Sequence, residues 1–415
     1  MNPTAMRFPL LLIALIAAAP LVSLTSLARA ADEPPLEWTD PDTGYRIHRL
    51  TTREGENRSF YFHNNPFVPA VDGGDDLMVF YGAEPEDGDE DDGNKGGPAR
   101  QLFVMNLRTR NVRQLTDEPG GVRGEIVAAE ARTAYCQAGR RVLAVNVDSG
   151  ESRLVVELPE DLPGSIRSVN ADNSLIVAVY ADGIKEIYEK HPKKSSYFGV
   201  IYEAKLPNTM FTIDTTSGEI KVIHEDNAWL NHQQFSPTDP NKLSFCHEGH
   251  WHMVQRIWNM DISTGEVQPI HERTVHREIA GHEFWSRDGK TIWFDLQIPR
   301  GETFYLTGYD LATGKETRYE HERHEWSVHY NISPDQTIFV GDGGSEGSVA
   351  GSPDGHWIYL FEPDGDRLKS TRLANLKDHD YGLEPNAHFT PDQQRIIFRS
   401  NMHGPTHVYA IDLER

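Results

Sequence analysis

One short pattern recurs along the chain and limits what it can fold into. An apolar residue leads into a Pro-Asp or Asp-Gly turn, and alternating apolar residues follow. Clear copies are FSPTDPNKLSF (235–245), FWSRDGKTIWF (284–294), ISPDQTIFV (332–340) and FTPDQQRIIF (389–398). Weaker copies are VPAVDGGDDLMVF (68–80), VAAEARTAYC (127–136) and VNADNSLIVAV (169–179), making seven at spacings of about 40 to 65 residues. Turn chemistry between short alternating runs marks a β-hairpin. A second pattern follows the first: strand, D-x-x-S/T-G, strand, as in MFTIDTTSGEIKVIHE (210–225), IWNMDISTGEVQPIHE (257–272) and YLTGYDLATGKETRYE (305–320). Each unit is therefore four strands, and four-stranded units at this period are propeller blades.

The two ends of the chain fit together. The last unit supplies three strands, ending in HVYAIDL (407–413), and its missing outer strand is found in DPDTGYRIHRLT (40–51). The expected fold is all-β: a seven-bladed β-propeller of four-stranded antiparallel blades, a single domain over 31–415, closed by the N-terminal strand joining the C-terminal blade. Such closure removes an open sheet edge. The stretch 182–208 interrupts the pattern, with a helical look in IKEIYEKH. It is read as a lid over one face or as a surface excursion.

Residues 1–30 read as a signal peptide. Arg7 precedes an apolar run, Phe8 to Val22, and Ala28-Arg29-Ala30 is a small-x-small cleavage site. The expected location is periplasmic or secreted, with no membrane association after cleavage and a monomer or weak dimer. Cys136 and Cys246 fall in different units and read as buried small hydrophobes. The net charge of −23 excludes nucleic acid as a partner, because phosphate binding needs a basic patch. The acidic run EPEDGDEDD (84–92) reads as a solvated loop.

Histidine is the unusual residue: nineteen occur, concentrated in the C-terminal half. His232, His282, His329 and His388 each precede a turn copy, so neighbouring blades bring them toward one central pocket. Such a set is either packed and hydrogen-bonded, or a metal or proton-transfer site. Alternation along an extended segment puts Glu384, Asn386 and His388 on one face. With His329 they form a nitrogen and oxygen donor set suited to Mn²⁺, Ca²⁺ or Zn²⁺. Arg256 lies in an apolar and aromatic stretch and needs an anion, either a protein carboxylate (Glu248 or Glu283) or a substrate.

At this point the chain resembles the oligogalacturonate lyases, seven-bladed propellers that cleave short pectate fragments by β-elimination. The segments that carry the resemblance are AWLNH (228–232), CHEG followed by RIW (246–258), HEFW (282–285), HYNISPD (329–335) followed by VGDGG, and HFTPD (388–392) through VYAID (408–412). The resemblance implies His282 as Brønsted base, Arg256 on the substrate, and His329 as a metal ligand. His232, His247 and Tyr381 are the further substrate contacts expected. The chain departs from the family where two histidine ligands become Glu384 and Asn386, a Gln slot becomes Tyr381, and His388 is extra. The expected cofactor is a divalent metal, Mn²⁺ before Ca²⁺ or Zn²⁺, and the expected substrate an acidic oligosaccharide. Two other readings stay open: a non-catalytic periplasmic scaffold, and a hydrolase using Glu248 and Glu283.

Overall fold

The structure is a computed structural model that describes residues 33–84 and 99–414. The signal-peptide span and all of the acidic run except Glu84 lie outside the described residues. Pro35–Arg415 form one compact unit. The strands of the described residues fall into six hydrogen-bonded sheets, mostly antiparallel meanders of four. The eight-stranded sheet is two such meanders, Ile279–Trp285 to Glu316–His321 and Tyr330–Ile332 to Arg367–Asn375, joined at one parallel position, Glu320 with Arg367. This is β-propeller architecture.

Local chemistry explains the repeat. In the D-x-x-S/T-G turns the leading aspartate accepts two backbone N–H groups. Asp214 Oδ1 takes those of Thr216 at 2.9 Å and Ser217 at 2.7 Å, and Asp310 repeats this with Ala312 and Thr313. Gly218, at φ 74°, then takes the left-handed step that reverses the chain. In the S-P/R-D turns a hydroxyl does similar work, with Ser286 Oγ accepting from Thr291 N at 2.9 Å.

Both faces of each meander are apolar, so each packs on the next. Phe60, Val68 and Val79 meet Ala134, Cys136 and Leu143. Val177, Val179 and Met210 meet Phe235, Leu243 and Phe245. Leu306 and Trp293 meet Phe339 and Tyr359. Cys136 and Cys246 are both free and buried within this packing, as expected.

The chain ends also meet. Arg46–Arg49 pairs antiparallel with His407–Asp412, with Ile47 opposite Ile411. Glu37–Thr39 adds a further strand outside it, which the repeat gave no reason to expect. The 182–208 stretch forms two helices, Ile184–Lys190 and Lys194–Ala204. Its rings reach the next sheet: Phe198 lies 5.3 Å from Trp229 and Tyr202 5.1 Å from His250.

Ile47 is buried against Phe398, Ile396 and Tyr409. Ile47→Ala is expected to cost about 2–5 kcal/mol of unfolding free energy, the usual range for a truncated core side chain. Urea unfolding measures it, and a loss under about 0.5 kcal/mol, the ordinary surface range, would show that this pairing does not bear on stability.

Candidate active site

The site is made by inner strands that are not straight. Pairing of Trp229–Phe235 with Lys242–Glu248 slips between Asn231 and Gln234, and pairing of Ile279–Trp285 with Thr291–Gln297 slips between Gly281 and Phe284. Each bulge holds a histidine in the left-handed region, His232 at φ 52° and His282 at φ 51°. Left-handed backbone is unfavourable for a side chain with a Cβ, and bulges re-aim side chains beside active sites. Here they turn both imidazoles out of the sheet alternation and into one cluster of rings around Tyr61 and Phe62.

His282 and His329 meet there, with ring centroids 5.1 Å apart and planes at 80°. Trp251 stands edge-on to His282 at 4.8 Å, and the Arg256 guanidinium lies over Trp251 at 5.1 Å. Three sequence-predicted residues, His282, His329 and Arg256, therefore share one site. His232 joins them, with its Nε2 3.8 Å from Glu248.

Each group has a fixed role in the hydrogen bonding. His282 Nδ1 pairs with Asp295 Oδ1 at 3.0 Å, and Trp326 Nε1 holds the other carboxylate oxygen at 3.1 Å. An Nδ1–H donated to Asp295 leaves the His282 Nε2 lone pair free. Among the described residues that atom has no partner, and it is not sealed from solvent. His329 Nδ1 pairs with Asp342 Oδ2 at 2.8 Å, and its Nε2 meets the Tyr61 hydroxyl at 3.1 Å.

Arg256 settles its own question. Its Nη1 donates to Glu248 at 2.6 Å and its Nε lies 3.4 Å from Glu283. Burial works against the guanidinium charge, but Cys246, Glu248 and Glu283 outweigh it, and the pKa is raised well above its ordinary value. Burial likewise raises the Glu248 pKa, and Arg256 more than reverses it. Both carboxylates of the hydrolase reading are thus engaged with one guanidinium. Arg256 Nη2 has no partner among the described residues.

Other expected residues are placed differently. Counting back four positions from the hydroxyl residue of each turn (Ser236, Ser286, Ser333, Thr390) gives His232, His282, His329 and Asn386. Asn386, at φ 52°, occupies the bulge position, and His388 stands two residues beyond it, so His388 does not continue the histidine series. The left-handed residue also breaks the alternation expected over 384–388, where only His388–Phe389 is strand. Asn386 Oδ1 accepts from Phe62 N at 2.8 Å and its Nδ2 donates to Glu384 O at 2.9 Å, so its amide braces the backbone. His388 Nδ1 faces Asn386 O at 3.0 Å, and its Nε2 is buried without a partner. The Tyr381 hydroxyl donates to Asp342 O, below the His329 partner. His247 neighbours Cys246 and Glu248 along one strand and so points to the opposite face; it stacks on Trp258 at 4.8 Å, with Asp226 3.5 Å away.

The residues expected as metal ligands are not all brought together. Of the four residues expected, two converge: His329 Nε2 lies 3.8 Å from Glu384 Oε2. One imidazole and one carboxylate fit a cation that completes its shell with water and substrate oxygens. Asn386 and His388 do not join them. Among the described residues His232, Cys246 and Glu248 also bring donor atoms within 4.8 Å of one another. That carboxylate already holds a guanidinium, so a dication there is repelled.

Sequence reasoning missed the segment Tyr61–His63, which lies outside the repeat. Phe62 stacks on His329 at 4.5 Å, and Asn331 Nδ2 donates to Phe62 O at 2.9 Å. Tyr61 and His63 are thereby carried to 5.8 Å and 5.7 Å from His232. Asp295 carried a readable signal, as a lone carboxylate inside TIWFDLQ (291–297).

The fold and this site define a β-propeller that presents an Asp-oriented histidine beside a buried, acid-paired arginine. A family model described as oligogalacturonate lyase matches residues 37–415, and the chain belongs to that family. Oligogalacturonide lyase of Pectobacterium atrosepticum and oligogalacturonate lyase of Dickeya dadantii are each 24% identical over 396 residues, covering 90% of this chain and 94% of theirs. A solved structure described as oligogalacturonate lyase in complex with manganese superposes with a TM-score of 0.75 at 22% identity, covering 91% of this chain and 96% of that one. The oligogalacturonate lyase of Vibrio parahaemolyticus superposes with a TM-score of 0.73 at 22% identity, over the same shares.

Burial keeps several imidazoles neutral. The His63 pKa is lowered to about 3 by burial, then by His329 and His388, and burial lowers His321, His379 and His388 to about 4. The unfolded chain takes up protons at these histidines near pH 6.5 and the folded chain does not. Their contribution to stability is therefore present above pH 6.5 and is lost as the pH falls toward 4. His63→Asn is expected to flatten the acid limb of a pH–unfolding series by more than about 1 kcal/mol at pH 4.5. An unchanged limb would mean that His63 is protonated in the fold.

Proposed function

We propose that the chain is a lyase that cleaves uronate-containing oligosaccharides by β-elimination, with His282 as base. The observation that carries this is the His282–Asp295 pair: one ring nitrogen is held by a buried carboxylate and the other is open to the site. That arrangement fixes the tautomer in which Nε2 accepts a proton. Membership of the oligogalacturonate lyase family supports the substrate class.

The reaction needs removal of the proton on C5, alpha to the uronate carboxylate. His282 Nε2 takes it, the electron pair forms the C4–C5 double bond, and the C4–O4 bond breaks. The departing O4 takes up a proton, and no water is consumed. The carboxylate gains charge in the transition state, so nearby positive charge lowers the barrier. Arg256 Nη2 is the group of this chain offered to it. A divalent ion, Mn²⁺ before Ca²⁺ or Zn²⁺, would be held by His329 and Glu384 and would add positive charge there. Tyr61 stays protonated, because burial and then Glu384 raise its pKa. Its phenol therefore donates to His329 Nε2 when no ion is bound.

The architectural part of the proposal is that the meanders are seven blades closed around one axis, with these imidazoles at its mouth. Residues 1–30 as a cleaved leader, and a periplasmic or secreted location, belong to it too. No helix among the described residues is long and apolar enough to cross a membrane.

His282→Asn keeps a donor for Asp295 and tolerates the left-handed backbone. It is expected to lower kcat by about 10²–10⁴-fold, the usual contribution of a general base, with the thermal midpoint nearly unchanged. Ultraviolet absorbance of the unsaturated product, screened on digalacturonate and on alginate, ulvan and glucuronan oligomers, measures it. Product formation at the wild-type rate would remove His282 from the chemistry. For the metal, calorimetric titration with Mn²⁺ should show Glu384→Gln weakening binding about tenfold or more, while His388→Asn stays within about threefold. The reverse order would restore His388 as the ligand.

A further inference from the structure

The guanidinium groups of Arg123 and Arg167 have no protein anion among the described residues. Arg167 is the extra residue where pairing of Ser165–Val169 with Leu175–Ala181 slips between Ile166 and Ser168. It therefore stands in the bulge, as His232 does in the next inner strand. Ser168 Oγ accepts from Phe235 N at 3.1 Å, which ties the two inner strands together beside it. Arg123 stands at the mouth of the preceding inner strand, Arg123–Ala128, at the residue where that strand's own slip begins. The two strands approach closely, since a Cβ on Gly124 would lie 3.0 Å from the Ile166 side chain.

Neither arginine has a hydrogen bond or a carboxylate in ion-pair distance among the described residues, and both side chains reach solvent. The nearest acidic side chain in sequence, Glu125, is taken by Tyr61 N at 2.5 Å and Asn64 Nδ2 at 3.0 Å. Burial is the main cause lowering the pKa of each, and Arg123 lowers that of Arg167 further. Arg167 and His63 line one cavity, and the Arg167 charge adds to the lowering of the His63 and His232 pKa after burial and other groups. Two neighbouring cations without a counterion repel each other, and an anion held between them relieves that repulsion.

We propose that Arg123 and Arg167 form an anion subsite that binds the carboxylate of a uronate unit other than the one losing its proton. The inference rests on the lyase reading for the identity of the substrate. Arg167 stands on the sheet next to the one that carries His232 and Arg256, so an oligosaccharide extending from Arg256 over the neighbouring sheet meets it. The subsite then sets affinity for consecutive acidic units, and it takes no part in the chemical step.

The test is Arg167→Gln, alone and with Arg123→Gln. With tetragalacturonate, KM is expected to rise about tenfold or more, the size of a lost charge-assisted hydrogen bond. The kcat and its pH profile should stay unchanged, and so should the thermal midpoint, because no protein partner is lost. A substrate methyl-esterified away from the reacting unit should show the same penalty with the wild type and little further penalty with the variant. An unchanged KM, a fall in kcat alone, or additive penalties would overturn the subsite. Calorimetric binding of tetragalacturonate separates this from the lyase reading. Wild-type binding that weakens in Arg167→Gln without any unsaturated product upholds the subsite and removes the lyase activity. Equal binding by both proteins removes the subsite whatever the activity.

Discussion

A four-stranded antiparallel meander with two apolar faces is not stable by itself, and the rest of this structure follows from that. Each meander here covers its faces with the meanders before and after it, as Val179 and Met210 do with Leu243 and Phe245. The same need explains the pairing of Ile47 with Ile411, since Met78 and Phe80 of the first meander pack on Ile397, Val408 and Ala410 of the last. Packing of this kind directs the starts of the inner strands to a common region. Residues hundreds of positions apart in the chain meet there, as Phe62 and His329 do.

Given that frame, the site depends on imperfect strands. A regular inner strand would point alternate side chains into the two neighbouring cores. The bulges at Gly124, Arg167, His232 and His282 interrupt this and free a side chain for the middle of the molecule. Where the bulge carries no functional side chain it is glycine, Gly124 at φ 102°. Where it carries histidine, the backbone holds an L-residue in the left-handed region at a cost of roughly 1–2 kcal/mol. That cost is accepted at positions with a chemical use, and Asp295 then fixes the ring that results.

Charge is arranged against the overall acidity. Arg256 is held between Glu248 and Glu283, a buried triad that leaves one guanidinium edge unpaired. His63 and His232 are kept neutral by burial, so they add no positive charge of their own. Cations of this region without a carboxylate partner among the described residues include Arg123 and Arg167, together with one edge of Arg256. For a chain of this net charge, attraction of a polyanion rests on a few local groups, since the long-range field opposes it.

The sequence alone determined the four-stranded unit, the turns that build it, the outer strand supplied by the N-terminus, and His282, His329 and Arg256 as the residues that meet. Turn chemistry and alternation are local, and periodic copies mark equivalent positions without coordinates. Tertiary structure decided the rest. It gave Asn386 a left-handed backbone, and so took its amide and His388 away from the ligand set, because one such residue breaks the alternation on which their common face relied. It brought in Tyr61 and His63 on a segment with no repeat position, and it gave Arg256 two protein carboxylates at once. Each of these depends on distances between strands far apart in the chain, and residue spacing carries no information about such distances until the sheets have packed.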